Sequence, residues 1–329
     1  MNRTATALVV AALAVGGLAA AAAPAQGKSK QLGTAFPADF PVLLDASLGT
    51  PLIGFGSGEG PVAHTPVIFL HGNNDTPFPT ACNPLFGHLH DFAEYFLARG
   101  YRPSELWGLG YQGDQCDLIA DQTIRSSTSH TSAASVPDLR AFVRAVLDYT
   151  GAERVDIVAH SLGGTVAREW LRQDRAYGLV RALVSVAGPH HGIINCSPSP
   201  LNYWQLPAFG GFTPASAVCV ELGAVETPFL SALNAGDETP GPTRYLTVRA
   251  SDVDFVYMPF DDGAFPGVPS LDRNGDPADF SDGPALAGAE NLALAGQGAY
   301  DVLGTAHLGI WNSPETWRAA LEFLRPSRR

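Results

Sequence analysis

A serine at position 161 stands between a run typical of a buried strand and a run typical of a helix. Val155, Ile157 and Val158 are apolar and β-branched, and apolar residues recur at helical spacing over 166–171. Ala159 and Gly163 lie two positions away on either side, the small-x-Ser-x-small pattern of a sharp turn from strand to helix. Such a turn exposes a hydroxyl at the edge of a sheet, so Ser161 is the predicted nucleophile.

A serine that attacks a carbonyl needs N–H donors for the negative oxygen that forms. The backbone N–H of Leu162 lies next to the serine at the helix N-terminus, where the helix dipole favours negative charge. The second donor is expected in the loop after the first core strand. There Asn73 follows His71 and Gly72, and we predict that its backbone N–H completes the oxyanion hole, while His71 shapes the loop.

The serine also needs a base and a carboxylate that orients the base. On a sheet of this kind the two follow the serine in the order acid, then histidine, each just after a strand. Asp252 and Asp254 both follow the predicted strand 245–248, so either is a candidate acid. His307 lies between the last predicted strand and the last predicted helix, in a loop between glycines, and is the predicted base.

The elements that must position these residues alternate along the chain. We expect strands at 67–70, 106–111, 155–158, 182–187, 245–248 and 291–295, with a further possible strand at 40–44. We expect helices over about 89–97, 138–147, 162–171 and 317–324. This alternation predicts an α/β fold, with a mostly parallel sheet and helices on both faces.

Two long segments interrupt this pattern. Residues 192–240 carry Pro, aromatic residues and two cysteines, and we expect them to form a cap or lid region over the site. The aromatic residues there are Tyr203, Trp204, Phe209 and Phe212. Residues 257–289 are rich in Asp, Gly and Pro, and their oxygen ligands suit calcium, although no glutamate completes an EF-hand loop. A solvated acidic loop is therefore the favoured interpretation over the stretch 272–282.

The chain begins with a basic residue, Arg3, and an Ala/Leu/Val run that ends in small residues. This is typical of a secretory signal peptide, here residues 1–25 with cleavage after Ala25, followed by one domain at 26–329. A membrane anchor is the less favoured alternative. Removal of Arg3 with the peptide changes the formal charge of −12 to −13. An acidic surface argues against nucleic acid and anionic membranes as partners, and we expect a secreted, extracellular monomer.

Four cysteines follow the predicted signal peptide, and an even number in an exported chain indicates two disulfides. Three pairings are possible. We favour Cys82–Cys116 and Cys196–Cys219, because each joins cysteines of one loop region, and each would stabilise the fold by about 3–4 kcal/mol on the chain-entropy model.

The predicted chemistry needs no cofactor and no metal. A zinc site is a weak alternative, because no C-x-x-C spacing occurs and only two histidine groups, His88 with His90 and His190 with His191, are suggestive. His160, which precedes the nucleophile, is expected to pack rather than to react.

The segments PVIFLHGN, VDIVAHSLGG, ASDVDFV and GTAHLGI together resemble the bacterial class 2 lipases of the α/β-hydrolase superfamily. The chain is also similar to extracellular polyhydroxyalkanoate depolymerases of that lineage. The likeness covers about residues 64–190, 243–256 and 290–325. It implies an α/β-hydrolase fold and identifies Asp254, rather than Asp252, as the acid. The smallest members of the family lack a segment like 192–240, so open access to the serine does not carry over.

The resemblance implies a secreted carboxylic ester hydrolase, a lipase or esterase with a Ser161–His307–Asp254 triad and an acyl-enzyme. Its expected partner is an ester or lipid substrate, at an interface or polymer surface, without stable membrane insertion. A polyester depolymerase is the first alternative. A peptidase or thioesterase would use the same triad, and a non-catalytic binding protein on this fold is a further alternative.

Overall fold

One sheet organises the part of the chain that the computed structural model describes, which is residues 32–58, 60–116, 131–206, 210–259, 268–301 and 304–325. The predicted signal peptide lies outside these residues. The sheet has seven strands in the order β1-β3-β2-β4-β5-β6-β7. They are β1 Ile53–Phe55, β2 Val67–Leu70, β3 Leu106–Gly110, β4 Val155–His160, β5 Val180–Val186, β6 Arg244–Ala250 and β7 Glu290–Leu294.

The predicted mostly parallel sheet is confirmed. Strands β2 to β7 run parallel to their neighbours, and only β1 is antiparallel, against β3. Every residue of β2, β3 and β4 is buried, as expected for strands that helices cover on both faces. All six core strands predicted from the sequence form, with ends shifted by up to two residues.

The main helices of the described chain lie between and after these strands. They are α1 Leu89–Leu97, α2 Ser132–Thr150, α3 Leu162–Asp174, α4 Ala217–Leu222, α5 Pro228–Leu233, α6 Ala306–Asn312 and α7 Pro314–Leu324. Short 3-10 turns lie at Pro103–Glu105, Ala176–Gly178, Ile194–Cys196, Tyr203–Gln205 and Gln297–Tyr300. None of the helices in the described ranges is both long enough and apolar enough to cross a membrane.

The strand order places helices on both faces of the sheet. The chain moves from β2 to β3 in one direction and from β3 to β4 in the other. Because such crossovers are right-handed, α1 lies on one face and α2 and α3 lie on the opposite face. The packing agrees, since α1 contacts α7 while α2 packs along α3. The carboxyl ends of the parallel strands therefore meet at one edge.

One expectation near the N-terminal side of the domain is wrong, and one strand there was not predicted. The possible strand at 40–44 does not form, and only an isolated bridge joins Leu44 to Pro51. Pro41 removes a ladder donor there, and the ring of Phe40 packs on Trp107 at 5.1 Å instead. The short strand β1, which the sequence did not predict, forms the sheet edge in its place.

Helix α2 begins at Ser132, several residues before the apolar periodicity starts. Thr131 caps it, because its hydroxyl accepts the N–H of Ala134 at 3.0 Å, and Gly151 ends it with a left-handed backbone, φ 68°. Pro137 lies inside the first turns. Because proline is disfavoured within a helix, the sequence predicts a helix start after it rather than at Ser132.

The insertion 192–240 contains more regular structure than its composition predicts. Helices α4 and α5 lie in it and contact each other. Glu221 of α4 reaches the core, because its carboxylate accepts the N–H groups of Ser132 and Ala133 at 2.6 and 3.1 Å, at the start of α2. A carboxylate at a helix N-terminus satisfies unpaired N–H groups and complements the helix dipole.

Two disulfides link the loops, Cys82–Cys116 and Cys196–Cys219, with Cα–Cα distances of 4.9 and 5.4 Å. This is the pairing favoured from the sequence. The second bond closes the start of the insertion onto α4, so both ends of the segment that carries Tyr203 and Trp204 are fixed.

The acidic stretch 272–282 uses its side chains for local structure. Asp272 accepts the N–H groups of Asn274 and Asp276 at 2.8 and 2.9 Å, and Asp282 pairs with Arg249. Within the described residues, no group of three His, Cys, Asp or Glu side chains is arranged to hold a metal ion.

Substituting Gly309 by Ala is predicted to destabilise the domain by roughly 3 kcal/mol, because overpacking forces backbone to move. A Cβ at Gly309 would lie 1.9 Å from the carbonyl oxygen of Gln297, in the turn that precedes α6. Chemical denaturation measures the loss. Gly178→Ala is the control: no atom lies within 4 Å of its added Cβ, so a change within about 0.5 kcal/mol is expected. Equal effects of the two substitutions would contradict the packing account.

Glu221→Gln is predicted to flatten the dependence of stability on pH. Burial raises the pKa of Glu221 to about 7, against about 4.3 for an unfolded glutamate. As pH rises from about 4 to 7, the unfolded chain loses this proton first, so wild-type stability falls relative to the variant by on the order of 3 kcal/mol. Denaturation of both proteins at pH 4.5 and pH 8 measures the difference, and a constant offset between them would contradict it.

Candidate active site

Ser161 lies between the end of β4 and the start of α3, with φ 48° and ψ −124°. A non-glycine residue in this region costs on the order of 1–3 kcal/mol and persists only where its surroundings hold it. The backbone N–H of Ser161 donates to Val186 of β5 at 2.8 Å, and its carbonyl accepts the N–H of Gly164 at 2.9 Å. The sheet and the first turn of α3 therefore fix the turn from both sides.

Close packing explains the small residues around this turn. A Cβ added at Gly163 would lie 2.8 Å from the carbonyl oxygen of His71, at the end of β2. A Cβ added at Gly72 would lie 3.0 Å from the Cβ of Ser161. The serine turn and the loop after β2 thus touch through glycines, which brings the predicted nucleophile and the predicted oxyanion loop together.

His307 faces the serine, but from a helix rather than from the predicted loop. It is the second residue of α6, and its Nε2 lies 3.0 Å from Ser161 Oγ. The expectation of a loop is wrong because Gly304 and Gly309 suggested irregular backbone, whereas Gly309 lies inside the helix and allows it to pack on the turn Gln297–Tyr300.

Asp254, not Asp252, contacts the histidine. Asp254 Oδ2 lies 3.0 Å from His307 Nδ1, and its other oxygen accepts the N–H of Val256 at 3.0 Å. Asp252 instead accepts the N–H groups of Gly296 and Gln297, each at 2.9 Å. Its carboxylate therefore holds the turn that leads towards α6.

The two predicted oxyanion donors belong to different elements: Leu162 begins α3 directly after Ser161, and Asn73 lies in the loop after β2. Neither the N–H of Asn73 nor that of Leu162 donates a hydrogen bond to another group in the described ranges. The loop is fixed from below, since Asp75 accepts the N–H of Gly87 at 2.8 Å and Asn83 donates to the carbonyl of Asn74 at 3.1 Å. Free N–H groups on a rigid loop are what an oxyanion site requires.

His71 supports the same loop from beneath. Its ring stacks on Tyr111 with centroids 4.1 Å apart, and its Nε2 lies 2.8 Å from the Tyr111 carbonyl oxygen.

The histidines considered as zinc ligands have separate partners. His88 pairs with Asp91, and His190 with Ser185 Oγ.

His160 has a larger part in the site than the expected packing. It is only 3% exposed, its Nε2–H donates to the carbonyl of His307 at 3.0 Å, and the two rings lie 5.0 Å apart. Burial, together with the neighbouring His307, holds the pKa of His160 well below its usual value. A neutral imidazole thus ties the nucleophile turn to the first turn of α6.

Aromatic rings lie beside the imidazole of His307. Phe255, which follows Asp254, has its ring centroid 5.4 Å from that of His307, and Trp204 of the insertion stacks on Phe255 at 4.8 Å and 17°. From the sequence, Trp204 was only one of several aromatic residues in the insertion, and Phe255 was only a hydrophobic residue after the predicted acid. Phe209 lies outside the described residues.

Comparison with known proteins places this arrangement in a family. Residues 64–261, more than half of the chain, match the family model of class 2 lipases. Among solved structures, the mature lipase BlEst2 of Bacillus licheniformis is similar with a TM-score of 0.55, 17% identity and coverage of 84% of this chain and 98% of that chain. Lipase B of Aspergillus fumigatus has a TM-score of 0.50 and 15% identity, covering 88% of this chain and 55% of that chain.

At these identities the solved structures establish the fold, and the family model establishes the kind of enzyme. The sheet order and the helices on both faces are those of the α/β-hydrolase fold. The similarity to polyhydroxyalkanoate depolymerases stays a prediction from the sequence. The chain belongs to the class 2 lipase family of the α/β-hydrolase fold, and it is a carboxylic ester hydrolase.

Proposed function

We propose that the protein is a secreted serine esterase or lipase that works through Ser161, His307 and Asp254. The observation that supports this most strongly is the continuous chain of contacts from Ser161 Oγ to His307 Nε2 and from His307 Nδ1 to Asp254 Oδ2, each 3.0 Å long. Each of the three side chains follows a different strand, and they meet at the carboxyl edge of the sheet. This is the geometry of an activated serine nucleophile.

In the first half of the reaction, Ser161 Oγ attacks the ester carbonyl carbon while its proton passes to His307 Nε2. The tetrahedral intermediate then collapses, the bond from the carbonyl carbon to the alcohol oxygen breaks, and the imidazolium gives its proton to the leaving alcohol. An acyl group remains on Ser161. In the second half, water attacks the acyl carbon and gives a proton to His307. The bond from the acyl carbon to Ser161 Oγ then breaks, and the imidazolium returns the proton to the serine as the carboxylic acid leaves.

The supporting groups have distinct tasks in this scheme. Asp254 accepts Nδ1–H of His307, which selects the tautomer with a free Nε2 and stabilises the imidazolium. The N–H groups of Leu162 and Asn73 bind the oxyanion, each contributing about 3–4 kcal/mol to the transition state. His160 positions α6 without taking a proton, since its pKa is depressed.

We also propose that residues 1–25 are a signal peptide and that residues 26–329 form one secreted domain that acts as a monomer. Two disulfides support an oxidising compartment. Family membership supports an ester or lipid as substrate.

Ser161→Ala is expected to lower kcat for p-nitrophenyl butyrate by about 10⁴-fold or more, because the nucleophile is lost. Thermal unfolding should be nearly unchanged. Wild type should form a covalent adduct with a fluorophosphonate probe, read by mass spectrometry of the intact protein, and the variant should not. Ser231→Ala, an exposed serine of α5, is the control and should retain both properties. An unlabelled, inactive wild type would favour a non-catalytic binding protein, and full activity of Ser161→Ala would refute the mechanism.

Asp254→Asn is expected to lower kcat by about 10³–10⁴-fold, because an amide favours the wrong tautomer of the base. Asp252→Asn should change kcat by less than about tenfold, since its carboxylate accepts backbone N–H groups away from the histidine. Steady-state kinetics of the two variants decides the assignment. A larger loss from Asp252→Asn would identify Asp252 as the acid instead.

A further inference from the structure

On the proposed function, the alcohol part of the ester has a defined position next to the base. A leaving oxygen must come within hydrogen-bond distance of His307 Nε2 to receive its proton. The carbon chain on that oxygen therefore lies beside the imidazole, on the side that solvent and substrate reach. The side chains that flank this side of the ring decide which alcohols fit.

Among the described residues, three aromatic rings lie next to the imidazole, and their exposure distinguishes them. His160, at 5.0 Å, and Tyr257, at 5.9 Å, are buried, with 3% and 2% exposure. Tyr257 is tied down, because its hydroxyl donates to the carbonyl of Ala187 at 2.5 Å. Phe255, at 5.4 Å, is partly exposed. Of these neighbours, Phe255 is thus the ring that a leaving alcohol meets.

Trp204 extends this surface away from the imidazole. It is also partly exposed, and it stacks on Phe255 with ring planes only 17° apart. Two further apolar side chains lie close to these rings in sequence and face solvent, Leu206 at 54% and Val253 at 46% exposure. The contacts that reach the imidazole from this surface are those of the two aromatic rings.

The tryptophan is held by its own segment. Its backbone N–H donates to Asn202 Oδ1 at 3.2 Å, and its carbonyl accepts the N–H of Phe212 at 2.8 Å. Asn202 in turn donates to the carbonyls of Asn195 and Ser197 at 2.7 and 2.6 Å, on either side of the disulfide-bonded Cys196. A fixed ring binds a ligand at a lower entropic cost than a mobile one.

We propose that Trp204 and Phe255 form the wall of the leaving-alcohol subsite and make the enzyme selective for esters of apolar alcohols. A flat ring or an alkyl chain on the alcohol buries apolar area against the two rings. A small polar alcohol buries little there, and a polyol would lose water from its hydroxyls where they approach the ring surfaces. The insertion 192–240 thus contributes specificity on the alcohol side of the ester.

The test varies one side of the ester at a time. The alcohol pair is ethyl acetate and 2-phenylethyl acetate, and the acyl pair is ethyl acetate and ethyl 3-phenylpropanoate; all three are esters of primary alcohols. The variants are Trp204→Ala, Trp204→Phe and Phe255→Leu, with Phe212→Ala as an aromatic control from the same insertion. Titration of Ser161 with diethyl p-nitrophenyl phosphate counts competent sites, so misfolded protein does not enter kcat/KM.

The wild type should have a higher kcat/KM for 2-phenylethyl acetate than for ethyl acetate. Trp204→Ala should reduce the ratio of these two values about tenfold, because one aromatic contact and its buried area are lost. Trp204→Phe should recover most of it, Phe255→Leu should reduce it, and Phe212→Ala should leave it unchanged. The acyl preference should stay constant in all four variants. Equal losses on both pairs, or a loss confined to the acyl pair, would overturn the proposal.

Failure of this inference is distinct from failure of the proposed function. If the wall is wrong, wild type and variants still titrate at Ser161, but the alcohol preference does not follow Trp204. If the serine mechanism is wrong, titration itself fails in the wild type.

Discussion

The strained backbone at Ser161 is the constraint on which the rest of the site depends. Its strained backbone, with φ 48°, is maintained because β4, β5 and α3 hold the residue by hydrogen bonds and packing. The same turn requires Gly163 and Gly72, whose missing side chains let the loop after β2 touch the serine. The strained turn thus requires two strands and a helix to pack closely around it. It also places the Ser161 hydroxyl at the edge of the sheet.

The base reaches that hydroxyl through a set of buried polar contacts. Asp254 holds one ring nitrogen of His307, His160 holds its carbonyl, and Asp252 holds the turn that precedes α6. Polar groups in a poorly solvated site are costly unless each has a partner, and here the partners also fix the geometry. The site is therefore preorganised by the same bonds that make its burial tolerable.

The insertion 192–240 adds to this core rather than merely covering it. Its disulfide, its helix α4 and the carboxylate of Glu221 attach it to the body of the domain. That attachment carries Trp204 to Phe255 and so to the edge of the imidazole. In the proposed mechanism, the reacting side chains follow strands of the sheet, whereas Trp204 beside the leaving group belongs to a segment outside the strand and helix alternation.

The sequence alone determined after which strand each predicted site residue comes. Ser161 lies in a strand–turn–helix, a carboxylate follows the next-to-last strand, and His307 follows the last. These are local signals, because periodicity and small residues act within a few positions. The family resemblance favoured Asp254 over Asp252, and the structure shows the contact of Asp254 with His307. Only the tertiary structure placed His307 on a helix and brought Trp204 next to Phe255. Those outcomes depend on contacts between residues tens of positions apart, which no local pattern encodes.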